Sequence, residues 1–357
     1  MKKRIFSQIF LVTFLFLPVF GQNNEPEIKA SNQNKPEKKF GLFENEEPLE
    51  ISLLFDFKPY FRTKPKKDYL KAKITIHLSK TDSIKEDIRL RTRGEFRNSY
   101  CSSAPITLNF KKANFGYSDL NKIDKIKLVT QCNPGSAYES YLLEEYLIYK
   151  LFNVMTDTSF KVRLLSINYI DSQNKRKPLK QYGFFIEPLE ILATRTNSVE
   201  VESPGLNQKS IIPALMDKVA IFNYMIGNYD WAIPNQHNVK ILVPMVIDAN
   251  RLAMAVPYDF DWTGLVNPSY AIPAENVGTS SVRERIFTGV CRSKEVYLKD
   301  LEAFLEKKEE LYRVITEFPY LTQNSKKDMI FYLDGFFDKL DGRNEILIDL
   351  LNKCKDF

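Results

Sequence analysis

The chain has 357 residues, 44% of them hydrophobic, and a formal net charge of +6. That is enough apolar material for one large domain or two lobes. Half of the charge sits in Lys2, Lys3 and Arg4, so the remaining chain is too mildly basic to suggest a nucleic-acid partner. With only His77 and His237 as histidines and no C-x-x-C pair, an ordinary zinc site is not expected. A bound metal would take oxygen ligands, which points to magnesium, manganese or calcium. In chain order, Lys2-Lys-Arg4, the uncharged apolar run from Ile5 to Phe20 and Val19-Phe-Gly21 predict a signal peptide over 1–21, cleaved before Gln22. Its apolar run is too short to span a bilayer comfortably. No cysteine directly follows the run, so a lipoprotein is not expected, and no later stretch reaches spanning length, so a secreted or periplasmic protein without a transmembrane span is expected. Residues 22–48 are polar and read as a disordered tether. Alternating apolar residues predict strands at 51–57, 70–78, 88–93, 106–110 and 125–130. A helix at 140–154 follows, then strands at 162–169 and 182–186 around the turn-rich 171–178. Beyond Glu187 the pattern turns helical: 214–226, 293–318 and 325–351, with a hairpin at 239–243 and 251–258.

This order predicts an α+β, two-lobed fold. A strand-rich N-lobe with one helix would cover 49–187. A helical C-lobe with an inserted β-hairpin would cover 188–357 and carry the chemistry. Cys101, Cys132, Cys291 and Cys354 allow three pairings in an exported chain. Cys101 with Cys132 is preferred, since both lie near strand ends of one segment.

The densest polar cluster is Gly227-Asn-Tyr-Asp-Trp-Ala-Ile-Pro-Asn-Gln-His-Asn238, and the second is Pro257-Tyr-Asp-Phe-Asp-Trp-Thr-Gly264. The hairpin between them would bring Asn238 next to Asp259. An amide oxygen and a carboxylate can hold one divalent ion there and leave Asp230 to orient a hydroxyl. Phosphoryl transfer needs such an arrangement. The same residues have plainer roles: Asp230 as a cap or turn residue, Asn238 in a turn, His237 packed or hydrogen-bonded. Asp259 and Asp261 would share a strand face, and they repel unless a cation or solvent intervenes. Arg91, Arg93 and Arg97 either bind phosphates or form a solvated, ion-paired face. Trp231 and Trp262 would pack the two loops.

Phe222-Asn-Tyr-Met-Ile-Gly-Asn-Tyr-Asp-Trp231, His237-Asn238 and Val256-Pro-Tyr-Asp-Phe-Asp-Trp262 resemble the spore-coat kinase (CotH-like) family, which has a similar Asn-x-Asp, His-Asn and Asp-x-Asp series. Arg91-Thr-Arg-Gly94, Leu108-Asn-Phe-Lys111, Lys127-Leu-Val129 and Tyr182-Gly-Phe-Phe-Ile-Glu187 fall in a similar order, so the likeness covers roughly 85–350. The resemblance implies an atypical kinase-like fold that uses ATP or another nucleotide with magnesium or manganese. It implies transfer to a hydroxyl, on protein serine or threonine or on a small acceptor. Asp230 would be the catalytic carboxylate, with Asn238 and Asp259 as metal ligands and Asp261 as the alternative to Asp259. Asn235 has the spacing found in ordinary kinases, but Asn238 enters the strand. Lys127, or Lys125 on the same strand face, would meet the phosphates and pair with Glu144 or Glu145. Arg93 would assist, and Glu187 would sit near the base. Two other outcomes are open: an inactive kinase-like envelope-binding protein, or a metal-dependent hydrolase or transferase that uses no nucleotide.

Overall fold

A computed structural model describes residues 38–203, 205–246, 252–273, 278–340 and 345–356. The predicted signal peptide and the tether up to residue 37 lie outside them. The strands are β1 (Leu49–Phe55), β2 (Leu70–His77), β3 (Ser83–Thr92), β4 (Ile106–Asn109), β5 (Lys125–Thr130), β6 (Val162–Asp171), β7 (Leu179–Ile186), β8 (Ser198–Glu200), β9 (Val239–Pro244) and β10 (Met254–Pro257). The helices in the first half are α1 (Phe57–Arg62), α2 (Phe96–Tyr100), α3 (Ser118–Asn121), α4 (Ser136–Met155) and α5 (Leu189–Arg195). Those in the second half are α6 (Pro213–Ile226), α7 (Lys294–Glu306), α8 (Lys308–Thr316), α9 (Gln323–Leu340) and α10 (Glu345–Lys353).

Strand β1 alternates as its sequence predicts, with Ile51, Leu53 and Phe55 buried. It is paired on both sides. Leu53 faces Ile74 of antiparallel β2 and Tyr169 of parallel β6. The order β1-β2-β3-β4-β5-β7-β6 therefore closes on itself as a seven-stranded mixed barrel. Inward residues such as Leu53, Ile74, Leu90, Leu108, Leu128 and Ile167 fill it. This overturns the two-lobed, kinase-like expectation. Alternation tells which face of a strand is buried. It does not tell whether the two ends of a sheet meet, and the parallel β1–β6 contact leaves no local signature.

Helix α4 lies against the outside of the barrel. Leu143, Leu147 and Leu151 belong to one core with Val129, Leu164 and Phe184 from the strands, and that core continues into α6 and α9. It is covered on most of its circumference, so nearly all of its last four turns is buried. The predicted hairpin is present as β9 and β10 and gains β8 as a third strand. The two long C-terminal helices are each two: α7 and α8 part at Lys307, and α9 and α10 flank residues 341–344, which are outside the described set.

Residues 38–48, expected as the end of the tether, pack on the barrel. Phe40 and Gly41 donate their N–H groups to the Asp119 carboxylate at 2.8 Å, and Leu42 is buried. Disulfides join Cys101 to Cys132, as expected, and Cys291 to Cys354. Among the described residues no helix is long and apolar enough to cross a membrane.

Candidate functional site

Helix α6 ends at Gly227, whose left-handed backbone (φ 67°) turns the chain out of the helix. A Cβ there would collide with the Tyr332 hydroxyl. The chain then fixes Asp230 by a relay of side chains. Fully buried Asn223 accepts from the Asn228 amide at 2.9 Å, and Asn228 accepts from the Asp230 N–H at 3.0 Å. One Asp230 oxygen is 2.8 Å from His237 Nε2, and the other accepts from Asn238 Nδ2 at 3.1 Å. Asn238 also bonds the Asp230 carbonyl at 2.9 Å. The loop therefore returns on itself and presents one oriented, half-buried carboxylate.

Asn238 joins this loop to the second motif, because its carbonyl accepts from the Tyr258 N–H at 3.0 Å. Asp259 follows with a left-handed backbone, φ 65°, uncommon for a residue with a side chain. Its N–H donates to the Tyr149 hydroxyl of α4 at 2.9 Å. The Lys127 ammonium of β5 lies 4.8 Å from the Tyr258 ring centre. Burial pushes the Lys127 pKa down to about 8. The neighbouring Arg93 charge works in the same direction, and Asp259 opposes both.

Behind Asp259 lies a buried ionic cluster. Arg97 Nη1 is 3.1 Å from Glu145 Oε2 and 3.8 Å from Asp261 Oδ2, and its Nη2 donates to the Thr130 carbonyl at 2.7 Å. The Tyr270 hydroxyl donates to Asp261 at 3.2 Å. Burial, opposed by Arg97, pushes the Glu145 carboxyl up to about 8. Burial together with the Asp259 charge pushes Asp261 up to about 7. Burial also works against the Arg97 charge, but Glu145 and Asp261 outweigh it and hold the guanidinium above its usual range. Glu145 Oε1, Arg97 Nε and Arg93 Nε are buried without a hydrogen-bond partner, so the cluster has unused polar capacity.

The structure thus gathers Lys127, Arg93, Asp259, Asp261 and Glu145 into one electrostatic neighbourhood. The Asp230–Asn238 loop adjoins it through Tyr258. Several roles expected from the sequence are not what the structure provides. Lys127 makes no ion pair with Glu144 or Glu145 among the described residues; Glu145 is bonded to Arg97 instead. Glu144 faces Ser325, Asp328 and Arg283. Glu187 forms a bidentate pair with Arg195, both contacts at 2.9 Å, and accepts from the Lys161 N–H, so it serves as a structural clasp. Arg91 lies over Tyr69, and Lys125 is exposed. Among the described residues no three His, Cys, Asp or Glu side chains gather to hold a metal. The sequence did not reveal Arg97 as the centre of this cluster, although the repulsion expected between Asp259 and Asp261 called for a cation or solvent there. Tyr149 and Tyr270 buttress the two aspartates; Tyr149 was legible only through its helical spacing, and nothing in the sequence marked either as a site residue.

Models of known protein families do not match this chain, and no curated protein matches it.

Proposed function

We propose that the protein transfers a phosphoryl group from a nucleoside triphosphate to a hydroxyl, with magnesium or manganese as the accompanying ion. One observation carries this reading. Lys127 and Arg93 bring two positive charges together in a half-buried place where Asp259 is the first counter-charge. A polyanion would relieve that imbalance, and a triphosphate is a polyanion. Asp230, held by His237 and Asn238, is the acceptor for the hydroxyl proton. In the reaction the acceptor oxygen bonds to the terminal phosphorus as the bond from phosphorus to the nucleoside diphosphate oxygen breaks. The proton passes to Asp230.

Asp259 and Asn238 would hold the divalent ion. The donors there are all oxygens, and the nearby Glu145 Oε1 is buried without a hydrogen-bond partner. Magnesium commonly takes one or two carboxylates from the protein and the rest of its ligands from phosphates and water, so a three-residue cage is not required. When bound, the ion would neutralise phosphate charge.

A closed barrel is not kinase architecture, but chemistry follows the constellation of residues rather than the fold. On this reading, the motifs that resemble the spore-coat kinase family mark a similar site chemistry. The reading also places the protein outside the cytoplasm, for which the two disulfides are the support.

Thermal unfolding tests the cofactor claim. A nucleoside triphosphate with magnesium or manganese should raise Tm, and Asp259→Ala and Lys127→Met should abolish the rise. No rise in either metal would remove the claim. Asp230→Asn should keep the rise and lose roughly 100-fold or more of transfer. One observation favours a nucleotide-binding protein without turnover: neither carboxylate expected to pair with Lys127 does so, Glu145 being held by Arg97 and Glu144 facing Ser325 and Asp328. Nucleotide stabilisation without any transfer would select that alternative.

A further inference from the structure

Helix α2 buries its charge and exposes its rings. Arg97 and Asn98 are buried, whereas Phe96 and Tyr100, one turn apart, are 39% and 46% exposed. The two exposed rings stack with centroids 5.2 Å apart and planes 14° apart. Trp262 stands edge-on to Phe96 at 5.0 Å. Buried Tyr270 lies beneath, touching Phe96 at 5.8 Å and Tyr100 at 5.5 Å between centroids. The shelf is fixed in place. Cys101, the residue after α2, is disulfide-bonded to Cys132, and the Lys64 ammonium bonds the carbonyls of Asn98 and Cys101 at 3.0 and 2.6 Å.

Two features connect the shelf to the proposed site. Trp262 directly follows Asp261, and the hydroxyl of Tyr270 donates to Asp261. Its rim indicates what it would take. Ser99, Ser102 and Ser269 are exposed there, Asn133 is half-buried, and the Tyr100 and Tyr138 hydroxyls meet at 3.3 Å. Lys64, at the base of α2, is turned to backbone carbonyls, and the exposed Glu95 carboxylate beside Phe96 is neutralised by Lys66 at 2.6 Å. A nucleic acid strand would need basic residues along a stacking platform. A neutral sugar offers an apolar C–H face to the rings and an edge of hydroxyls to the serines, the amide and the phenols.

We infer that this shelf binds a neutral oligosaccharide and is the acceptor subsite of the phosphoryl transfer; the acceptor role rests on the function proposed above. A sugar hydroxyl oxygen would bond to the terminal phosphorus, the bond to the departing nucleoside diphosphate would break, and the hydroxyl proton would go to Asp230.

The test titrates the protein with hexasaccharides derived from glucan, chitin and mannan, read by calorimetry, alongside the nucleotide-induced rise in Tm. At least one hexasaccharide should bind. Phe96→Ala and Tyr100→Ala should each weaken it at least tenfold, Phe96→Trp should retain it, and all three should keep the nucleotide-induced rise. Phosphate from a labelled nucleotide should then appear on that sugar. The inference is overturned if no hexasaccharide binds while the nucleotide rise is present, or if binding is unchanged in both alanine variants. Label that goes to a peptide hydroxyl, undiminished in Phe96→Ala, overturns it too. Ring-dependent sugar binding with no nucleotide rise in either metal overturns the phosphoryl-transfer reading and, with it, the acceptor role.

Discussion

Arg97 lies where α2, α4 and the loop after β10 meet, and its guanidinium is shared by Glu145, Asp261 and the Thr130 carbonyl. Replacing it with methionine would leave two buried carboxyls facing each other without a cation. Removing one partner from a buried ion cluster typically costs about 3–5 kcal/mol, because the groups left behind stay desolvated without their partner or must take up a proton. Arg97→Met should therefore lower the urea midpoint by that equivalent. Arg97→Lys should recover little, since an ammonium cannot fork between acceptors on both sides. Adding Glu145→Leu to Arg97→Met should restore part of the loss. A wild-type midpoint in Arg97→Met would show that the cluster does not stabilise the fold. At this scale the sequence was informative about need and silent about supply. Two aspartates flanking Phe260 call for a cation or solvent between them, but nothing local says that a cation comes from a residue on another element. The pairing expected between Lys127 and a helix glutamate failed for the same reason: Arg97 reaches Glu145 first.

Helix α4 carries Glu144 and Glu145 side by side, and the 100° step of a helix sends them to different neighbours. Glu145 goes to the ionic cluster, while Glu144 faces the start of α9. Burial is the main cause that pushes the Glu144 carboxyl up to about 8, Asp328 adds to it, and Ser325 and Arg283 oppose it. Its folded pKa thus lies above the ordinary value of 4.5. The folded state binds the extra proton between those two values. Stability from this group is complete below the lower value and is lost as pH rises through the upper one, with a slope of up to about 1.4 kcal/mol per pH unit. Glu144→Gln should remove that slope, so its urea midpoint relative to wild type should rise between pH 5 and pH 8. Parallel midpoints across that range would rule out the buried, protonated Glu144. Elements of this length were legible: α4 shows helical spacing over 140–154, and the structure extends it only to Ser136–Met155. The five-residue α2 was not. It is too short for a period to emerge, and its exposed rings and buried charge invert the pattern that marks a surface helix.

The barrel sets the relations among all these parts, and it was the least legible feature of the chain. Each of its strands was visible in the sequence, the early ones as alternating runs, yet such runs fit an open lobe and a closed barrel equally well. The difference lies in β1. In an open sheet ending at β1 that strand would have a free edge and tolerate proline wherever its N–H faces that edge. In the closed barrel Ser52 is paired with Thr75 on one side and Asn168 on the other. Proline at this position has no N–H to donate, and whichever neighbour loses the bond keeps an unsatisfied carbonyl. Ser52→Pro should therefore destabilise the protein by about 3 kcal/mol from the lost ladder bond, the unpaired acceptor and the lost contact between the Ser52 hydroxyl and His77 Nε2 (3.0 Å) combined. Ser52→Thr, which keeps the N–H and suits a strand, should change stability by less than about 0.5 kcal/mol. Thermal and urea unfolding of the two variants measure the difference directly. A Ser52→Pro variant as stable as Ser52→Thr would mean that β1 has a free edge. The closure would then be wrong, and with it the placing of β5, Lys127 and α4 around one continuous wall.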